Sequence, residues 1–501
     1  MLIVGAGPTG LVLALWLTRF GVSVRIIDKL AASGTTSRAL AVQGRTLEYY
    51  QQFGLAQAVV DHGHKVAGVN LWVKAKAAAR IPLGDLGQGL TPFPFPLIFP
   101  QDEHEALLIE RLSALGITIE RQVELADFED RGAEIRATLR RKDGSEELGS
   151  YAYLAGCDGA RSRVREVLGV GFPGGTYDHL FYVADVEAGG PPMNGELHVD
   201  IDDADFLGVF PLRETGKARL IGSVRDDAAK DHEHLEFEDV RGRAMQNLRI
   251  EVKHVNWFST YRVHHRVAQQ FRKGRAFLLG DAAHIHSPVG GQGMNTGIGD
   301  AVNLAWKLAA SLKEPRSSPL LDTYEPERIA FARRLVATTD RAFTAVTSDT
   351  AFARFVRTKV IPAVVPVLLH LPAMRRFAFR TVSQIAVNYR DSPLSRGAAG
   401  KLRGGDRLPW VKIDRGDAHN FVALTSMDWQ IHVYGDPAPG VRALADGRKI
   451  PLHVFPWEAG MTRAGLKRNA AYLIRPDGYI GFADPGGSPS AIDAYLNEKN
   501  L

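Results

Sequence analysis

The chain has 501 residues, 45% of them hydrophobic, which is enough apolar material for about three domains with their own cores. Its net charge of +5 comes from 61 basic residues scattered among 56 acidic ones, with no basic block or heptad pattern, so nucleic acid is excluded as an expected partner. A single cysteine excludes an intramolecular disulfide framework and a cysteine-based zinc site, and it suits a reducing cytoplasm.

The chain enters an apolar strand over 2–4 at once and turns through Gly5-Ala6-Gly7-Pro8-Thr9-Gly10. No signal peptide is therefore expected, and part of this short strand is expected to lie upstream. The Gly-x-Gly-x-x-Gly spacing predicts a dinucleotide-binding turn. The first glycine makes the turn, the second lets backbone approach a pyrophosphate, and the third lets helix pack on strand. A helix over 11–20 and a strand over 22–27 follow, ending in Asp28. An acid about 20 residues beyond the glycines is the expected partner of a ribose 2′-hydroxyl, and it would repel a 2′-phosphate.

After a loop holding Arg38, the pattern predicts a helix over 46–53 and strands over 68–74 and 96–99. A helix opened by Gln101 runs to 115, and strands over 117–120 and 123–125 return the chain to the first domain. Phe93, Phe95 and Phe99 alternate with prolines, which leaves both a pocket wall and ordinary core packing open. A strand over 151–155 leads into Gly156-Cys157-Asp158-Gly159-Ala160-Arg161-Ser162, an acid-plus-glycine turn. Arg161, Arg163 and Arg165 then alternate at a helix start. Solvated charges are the ordinary reading, attraction of a phosphorylated cofactor the functional one.

Between 177 and 262 the texture is β-type, with runs over 181–186, 196–201, 206–211, 219–224 and 255–263 and one helix over 235–248. Such a meander with a helix on one face is an α+β unit. The strand over 276–279 ends in Gly280-Asp281-Ala282-Ala283-His284, which places a carboxylate where it can bind a sugar-like hydroxyl or cap the following segment. His264, His265, His284 and His286 lack the spacing of a metal site, so structural roles are expected. In Pro288-Val289-Gly290-Gly291-Gln292-Gly293-Met294-Asn295 the glycines open a helix over 293–312. Backbone N–H groups in such a turn form an anion-binding nest. Pro288 separates it from any strand, so it is not a second nucleotide fingerprint.

Helical sequence continues through 380. Its longest apolar run, 360–372, is too short and proline-broken to span a bilayer, which needs about 20 apolar residues. A buried or interface helix is expected there, and no membrane partner. From about 400 the pattern changes to strands over 421–424, 430–433 and 471–475, a hairpin signal at Pro476-Asp477-Gly478-Tyr479-Ile480-Gly481, and a closing helix over 490–497.

Gly5 to Gly10, Asp158-Gly159 and Gly280-Asp281, in this order, resemble the single-component FAD-dependent aromatic hydroxylases. That class includes para-hydroxybenzoate hydroxylase, phenol hydroxylase, rifampicin monooxygenase and the aromatic polyketide hydroxylases, and the last three branches match best. The specific motifs cover roughly the first two thirds of the chain. The resemblance implies an α/β fold in which a Rossmann-like FAD-binding domain (1–68, 98–175 and 264–340) carries an inserted α+β substrate domain (69–97 and 176–263). A helical segment (341–395) and a C-terminal thioredoxin-like domain (396–501) follow. The last holds no cysteine, so packing or dimerisation is its expected role, in a monomer or homodimer.

The implied cofactors are FAD and NADPH or NADH, with O2 and a small aromatic molecule as substrates. FAD would react with O2 at its C4a carbon and pass one oxygen atom to an electron-rich ring. The FAD contacts expected are Gly5, Ala6, Gly7, Pro8, Thr9, Gly10, Asp28, Lys29, Arg38, Gln101, Leu125, Asp158, Gly280, Asp281, Pro288, Gly291, Gly293, Met294 and Asn295. Asp281 would meet the ribityl chain, and the nest at Gly291 to Asn295 the isoalloxazine. Asp158 is assigned an indirect role near the pyrophosphate. Arg45 and Pro288 are the catalytic candidates, Arg45 facing either flavin or substrate. Phenol hydroxylase relatives carry an acid before the arginine matching Arg45, and Ala39-Leu40-Ala41-Val42-Gln43-Gly44 has none. That departure points to larger polycyclic phenols, in a pocket walled by Leu40, Gly44, Phe206, Phe210 and the Phe93 to Phe99 segment. Two alternatives stand beside this: an FAD oxidoreductase of the same fold that does not hydroxylate, and a non-catalytic flavin-binding protein. A flavin halogenase is disfavoured by the lack of a Trp-x-Trp-x-Ile-Pro segment.

Overall fold

Leu2–Val4 is buried along its whole length, as a central strand of a parallel sheet must be. It pairs in parallel with Arg25–Asp28 on one side and Leu154–Gly156 on the other. The computed structural model describes residues 1–34, 39–73, 75–84, 86–201, 206–224, 235–287, 290–347, 350–413 and 418–501. Ile119–Arg121 adds a parallel strand beyond Arg25–Asp28. Ala276–Leu278 does so beyond Leu154–Gly156, and Arg272–Lys273 closes that edge antiparallel.

Helix α1 (Pro8–Arg19) begins with proline in its first turn, where no N–H is needed, and buries residues 10–17. Other helices of the chain include α2 (Gly44–Gln51), α3 (Gln101–Ala114), α4 (Arg163–Leu168) and α5 (Gly293–Lys313). Helices α3 and α5 pack directly on α1. A three-stranded antiparallel meander, Val123–Asp130, Ile135–Arg141 and Glu146–Tyr151, sends Val123, Leu125, Ile135, Ala137 and Leu139 into the same core. The predicted strand over 151–155 is thus two strands: Tyr151 ends the meander and Leu154–Gly156 enters the parallel sheet.

An eight-stranded mixed sheet carries the two longest strands, Gly174–Gly189 and Glu251–Val267, side by side. It continues through Lys217–Ser223, Phe206–Pro211 and Leu197–Ile201 to Gly68–Val73 and Lys76–Pro82, and His284–Ile285 pairs on its other edge. The helix expected over 235–248 is a 3-10 turn (Phe237–Val240) followed by a short helix (Arg243–Leu248). Gly242 between them is extended and interrupts the helix, while Phe237, Val240, Met245 and Leu248 still pack on the sheet.

Helices α6 (Tyr324–Thr347), α7 (Ile361–His370) and α8 (Pro372–Val382) lead to a six-stranded C-terminal sheet in the order Leu402–Arg403, Arg396–Ala399, Ile480–Asp484, Ala471–Ile474, Gln430–Tyr434 and Leu452–Phe455. Helix α9 (Pro489–Lys499) closes the chain. The hairpin signal is realised between Ala471–Ile474 and Ile480–Asp484. The strand expected over 421–424 is instead a 3-10 helix, Asn420–Ser426, in which Phe421 and Leu424 both point into the C-terminal core. Of the buried or interface helix expected over 360–372, the interface alternative fits: no residue of α7 is fully buried, and Ile361, Val365 and Leu369 pack on Leu71 and Ile81.

Candidate functional site

The glycine turn divides its labour by space. A Cβ on Gly5 would collide with the carbonyl of Cys157, and one on Gly10 with the carbonyl of Gly5, so both are packing positions. A Cβ on Gly7 would meet nothing within 4 Å among the described residues. Gly7 caps α1 without a side-chain hydrogen bond, so the helix N-terminus and its positive potential face open space. Asp28 holds the turn from behind: its Oδ2 accepts the Ala6 N–H at 2.8 Å and its Oδ1 the Leu30 N–H at 2.8 Å.

Two cavities adjoin there. One of about 500 Å³ is lined by Gly5, Asp28, Lys29, Leu125, Asp158, Arg161 and others. The second, of about 390 Å³, is lined by Pro8, Thr9, Gln101, Asp281, His286, Gly291, Gly293 and Met294 among others. Gly7, Cys157 and Gly159 line both, so the cleft is continuous across the N-terminus of α1. Its far wall is residues 261–264 of the long strand Glu251–Val267.

The second turn is held from inside α5. Asp300 Oδ2 accepts the Gly280 N–H at 3.0 Å and lies 2.7 Å from His284 Nε2, while Arg328 Nε donates to Oδ1 at 2.6 Å. Burial works against charge on Asp300, but Arg328 and His284 outweigh it and keep the carboxyl below its usual range. Arg328 also donates to the Thr296 carbonyl and the Tyr389 hydroxyl. These contacts aim Asp281 into the cavity from a fixed turn.

His286 Nδ1 donates to the Ser287 carbonyl at 2.8 Å, which leaves Nε2 an acceptor. That Nε2 is buried with no hydrogen-bond partner among the described residues, and burial drives the imidazole down to about 4. A buried polar atom without a partner in a cavity wall fits a bound polar ligand. With the open space at Gly7, it makes the residues of this cleft compatible with an extended dinucleotide.

Several expected site residues have other work. Arg45 lies outside both cavity walls: it donates to Glu48 and to the Asp477 carbonyl, and it stacks on Tyr49 and Tyr479. Its guanidinium is buried and faces protein rather than either cavity, with Nε lacking a partner among the described residues. The Asn295 side chain is likewise occupied, accepting from the Gln43 N–H and Thr46 hydroxyl and donating to the Ala41 and Gly291 carbonyls. Ala6, Gly10 and Gly280 support the turns without lining the cavities. Arg165, read as solvated, is buried, donating to the Ala282 and Ala160 carbonyls over the Phe172 ring. Asp158 accepts from the Ser162 hydroxyl and the Val164 N–H, and burial raises its carboxyl above the usual range. Arg38 and Pro288 lie outside the described residues.

The expected phenylalanine wall does not form as one surface. Phe99 is in the main core, with Phe93 and Phe95 packed on that core. Phe210 packs with Leu40, Val66 and Ile98, and Phe206 with Phe181 and Val263. Residues missed by sequence reasoning are Asp300 and Arg328, while His286, read as structural, lines the cavity. A signal existed for the first: Thr296, Asp300, Asn303 and Lys307 form a polar stripe at helical spacing in an otherwise apolar α5.

A parallel sheet whose first turn opens onto a long cleft, roofed by a second sheet, defines a dinucleotide-binding protein. Residues 1–339 match the FAD binding domain family, and the chain belongs to it. It is 34% identical to 6-methylpretetramide 4-monooxygenase of Streptomyces rimosus, across 100% of this chain and 93% of that one. It is 28% identical to dialkyldecalin synthase of Streptomyces rugosporus, across 99% and 98%. The solved structure of OxyS anhydrotetracycline hydroxylase from Streptomyces rimosus superposes with a TM-score of 0.79 at 29% identity, covering 99% of this chain and 98% of that one. The protein is a flavoprotein monooxygenase of the aromatic hydroxylase kind, with FAD as its cofactor.

Proposed function

We propose that the protein hydroxylates a polycyclic phenolic substrate, using NADPH or NADH and O2, with FAD laid along the two adjoining cavities. The continuity of the cleft across Gly7 carries this reading. Asp28, Lys29 and Leu125 would hold the adenosine end, with Asp158 bracing the turn beside it. Gly7, Pro8 and Thr9 would meet the pyrophosphate, Asp281 the ribityl chain, and Gln101, Gly291, Gly293 and Met294 the isoalloxazine. Bound FAD supplies the acceptance of hydride from the nicotinamide and the activation of oxygen. The chain's own part is electrostatic and steric. The N-terminus of α5 favours negative charge at the isoalloxazine end, and the sheet carrying Glu251–Val267 excludes water from that side.

The substrate class follows from the lack of a carboxylate in 39–44 and from relatives named for tetracycline-type substrates. Without that base, the substrate's own phenolic acidity drives its activation. The dialkyldecalin synthase relationship favours a second reading, a flavoprotein of this fold that does not hydroxylate. The C-terminal sheet and helices support a thioredoxin-like reading of 396–501. It contains no cysteine, so it serves packing rather than dithiol exchange, in a cytoplasmic enzyme.

Purified FAD-loaded enzyme would be mixed with NADPH and a panel of phenols, following NADPH oxidation, O2 uptake and product mass. Polycyclic phenols are expected to stimulate oxidation most, with a product gaining one oxygen atom. A monocyclic hydroxybenzoate with the highest kcat/KM by a wide margin would overturn the polycyclic reading. Turnover of a ligand with no NADPH or NADH consumed would favour the non-hydroxylating one.

A further inference from the structure

Helix α7 is apolar on both sides and lies at the surface. Its inner side, Ile361, Val365 and Leu369, packs on Leu71 and Ile81 of the eight-stranded sheet. On its outer side Val364, Val367 and Leu368 follow the spacing of a single helical face, with exposures of 43%, 64% and 41%, and Leu371, the extended residue that ends the helix, is 53% exposed. The chain then bends by 105° into α8, which turns Met374 and Phe377 outward. Phe352 and Phe355, just before α7, are 77% and 58% exposed. A contiguous apolar surface of this kind marks a contact site, since isolated exposed apolar residues are ordinary but a run of them is not.

Along the sequence this segment carries one sign of charge, with Asp406, paired to Arg390, as an acidic neighbour of Arg380 from another element. No acidic residue occurs between Thr350 and Asp391, whereas Lys359, Arg375, Arg376 and Arg380 all fall there. Some surface arginines elsewhere are paired, Arg140 with Glu146, Arg141 with Glu147 and Arg448 with Asp493. Arg375, Arg376 and Arg380 have no ion-pair partner among the described residues. Arg376, Phe377 and Arg380 line a shallow groove of about 560 Å³ beside Pro372. Apolar side chains flanked by unpaired cations are the composition of a helix that lies in the interface of an anionic bilayer.

We infer that the α7–α8 elbow docks on an anionic lipid surface, with Val367, Leu368, Leu371 and Phe377 entering the acyl boundary and Arg375, Arg376 and Arg380 meeting phosphate headgroups. No single described helix is long and apolar enough to cross a bilayer, so the elbow lies on the membrane. The expectation of no membrane partner rested on spanning length, which does not govern surface binding. A second copy of the chain fits less well. An isologous contact through this patch would bring two surfaces carrying the cations Arg375, Arg376 and Arg380 together.

The test is co-sedimentation of the FAD-loaded enzyme with sucrose-filled vesicles of phosphatidylcholine containing 30% phosphatidylglycerol, against phosphatidylcholine alone, with sedimentation velocity on the free enzyme. At least tenfold greater partitioning to the anionic vesicles is expected. It should fall at least fivefold in Arg375→Glu/Arg376→Glu and, separately, in Val367→Ser/Leu368→Ser, with FAD content and melting temperature unchanged in both. Equal binding to neutral vesicles, or no vesicle binding by the flavin-loaded protein, would overturn the inference. So would a dimer dissolved by Val367→Ser/Leu368→Ser without any vesicle binding. NADPH turnover is a separate readout, so failure here leaves the catalytic proposal standing.

Discussion

Gly7 and Gly10 sit three positions apart in one motif and answer to different constraints. A methyl at Gly10 meets backbone, which cannot move aside cheaply, while a methyl at Gly7 enters only the cleft. Gly10→Ala is therefore expected to destabilise the flavin-free protein by about 1–3 kcal/mol. Gly7→Ala, whose φ of −78° suits any residue, should leave apoprotein melting nearly unchanged and weaken FAD binding tenfold or more. Melting of the apoproteins and fluorescence titration with FAD check both halves, and equal melting losses would refute the division. Buried histidines set the response to acid. His104 is hydrogen-bonded to the Tyr50 hydroxyl at 2.7 Å, its Nδ1 has no partner among the described residues, and burial holds its imidazole down to about 3, against an ordinary value of 6.5. The unfolded chain takes up this proton first. Stability is therefore full above about pH 6.5 and declines as pH falls from there toward the folded value, below which the loss levels off. Between pH 7.5 and 5 the His104 contribution is about 2 kcal/mol. Urea unfolding at the two pH values should show a smaller loss for His104→Gln than for the parent.

At the scale of elements, a buried ionic network joins α5, α6 and the C-terminal hairpin. Glu327 accepts from Lys307 at 2.8 Å, from both Arg475 terminal nitrogens at 2.8 and 3.0 Å, and from Asn303 and Ser392. Burial opposes charge on Glu327, yet Arg475 and Lys307 hold its carboxyl far below the usual range. Removing one member leaves the others buried and uncompensated, which costs more than the intact network contributes. Glu327→Gln should lose about 3–5 kcal/mol, and Glu327→Gln/Arg475→Met less than the sum of the single losses. A double-mutant cycle by equilibrium unfolding measures the coupling; strict additivity would mean the groups do not act together. The polar stripe of α5 that reaches this network also reaches Gly280 through Asp300, so one helix face serves both the cleft and the domain contact.

For the whole molecule, residues beyond 395 complete the first domain. Arg407 pairs with the buried Glu48, Arg45 donates to the Asp477 carbonyl, and the Trp306 N–H donates to Asp477 at 3.1 Å. Truncation after Asp391 removes Arg407 from Glu48 and Arg475 from Glu327, leaving each buried carboxylate with one remaining cation, Arg45 or Lys307. It should give aggregated protein or protein without retained FAD; soluble, flavin-loaded truncate would contradict this. Much of the architecture was legible in the sequence, because local chemistry alone specifies it. Gly5, Gly7 and Gly10 have one workable turn, Asp28 and Asp281 stand at strand ends, and α5 announces itself by its glycine start and apolar period. Residues set by partners distant in sequence were not legible. Arg45 could face a ligand or a protein wall, and Asp477, 432 positions away, decided for the wall. Phe421 and Leu424 suited a strand until the core needed both on one side, and α7 could be buried or lie at an interface until only one of its two apolar faces found cover. Side-chain pattern determines which surfaces a segment must hide, whereas only the assembled chain determines what hides them, since burial and ion pairing depend on neighbours that local sequence does not contain.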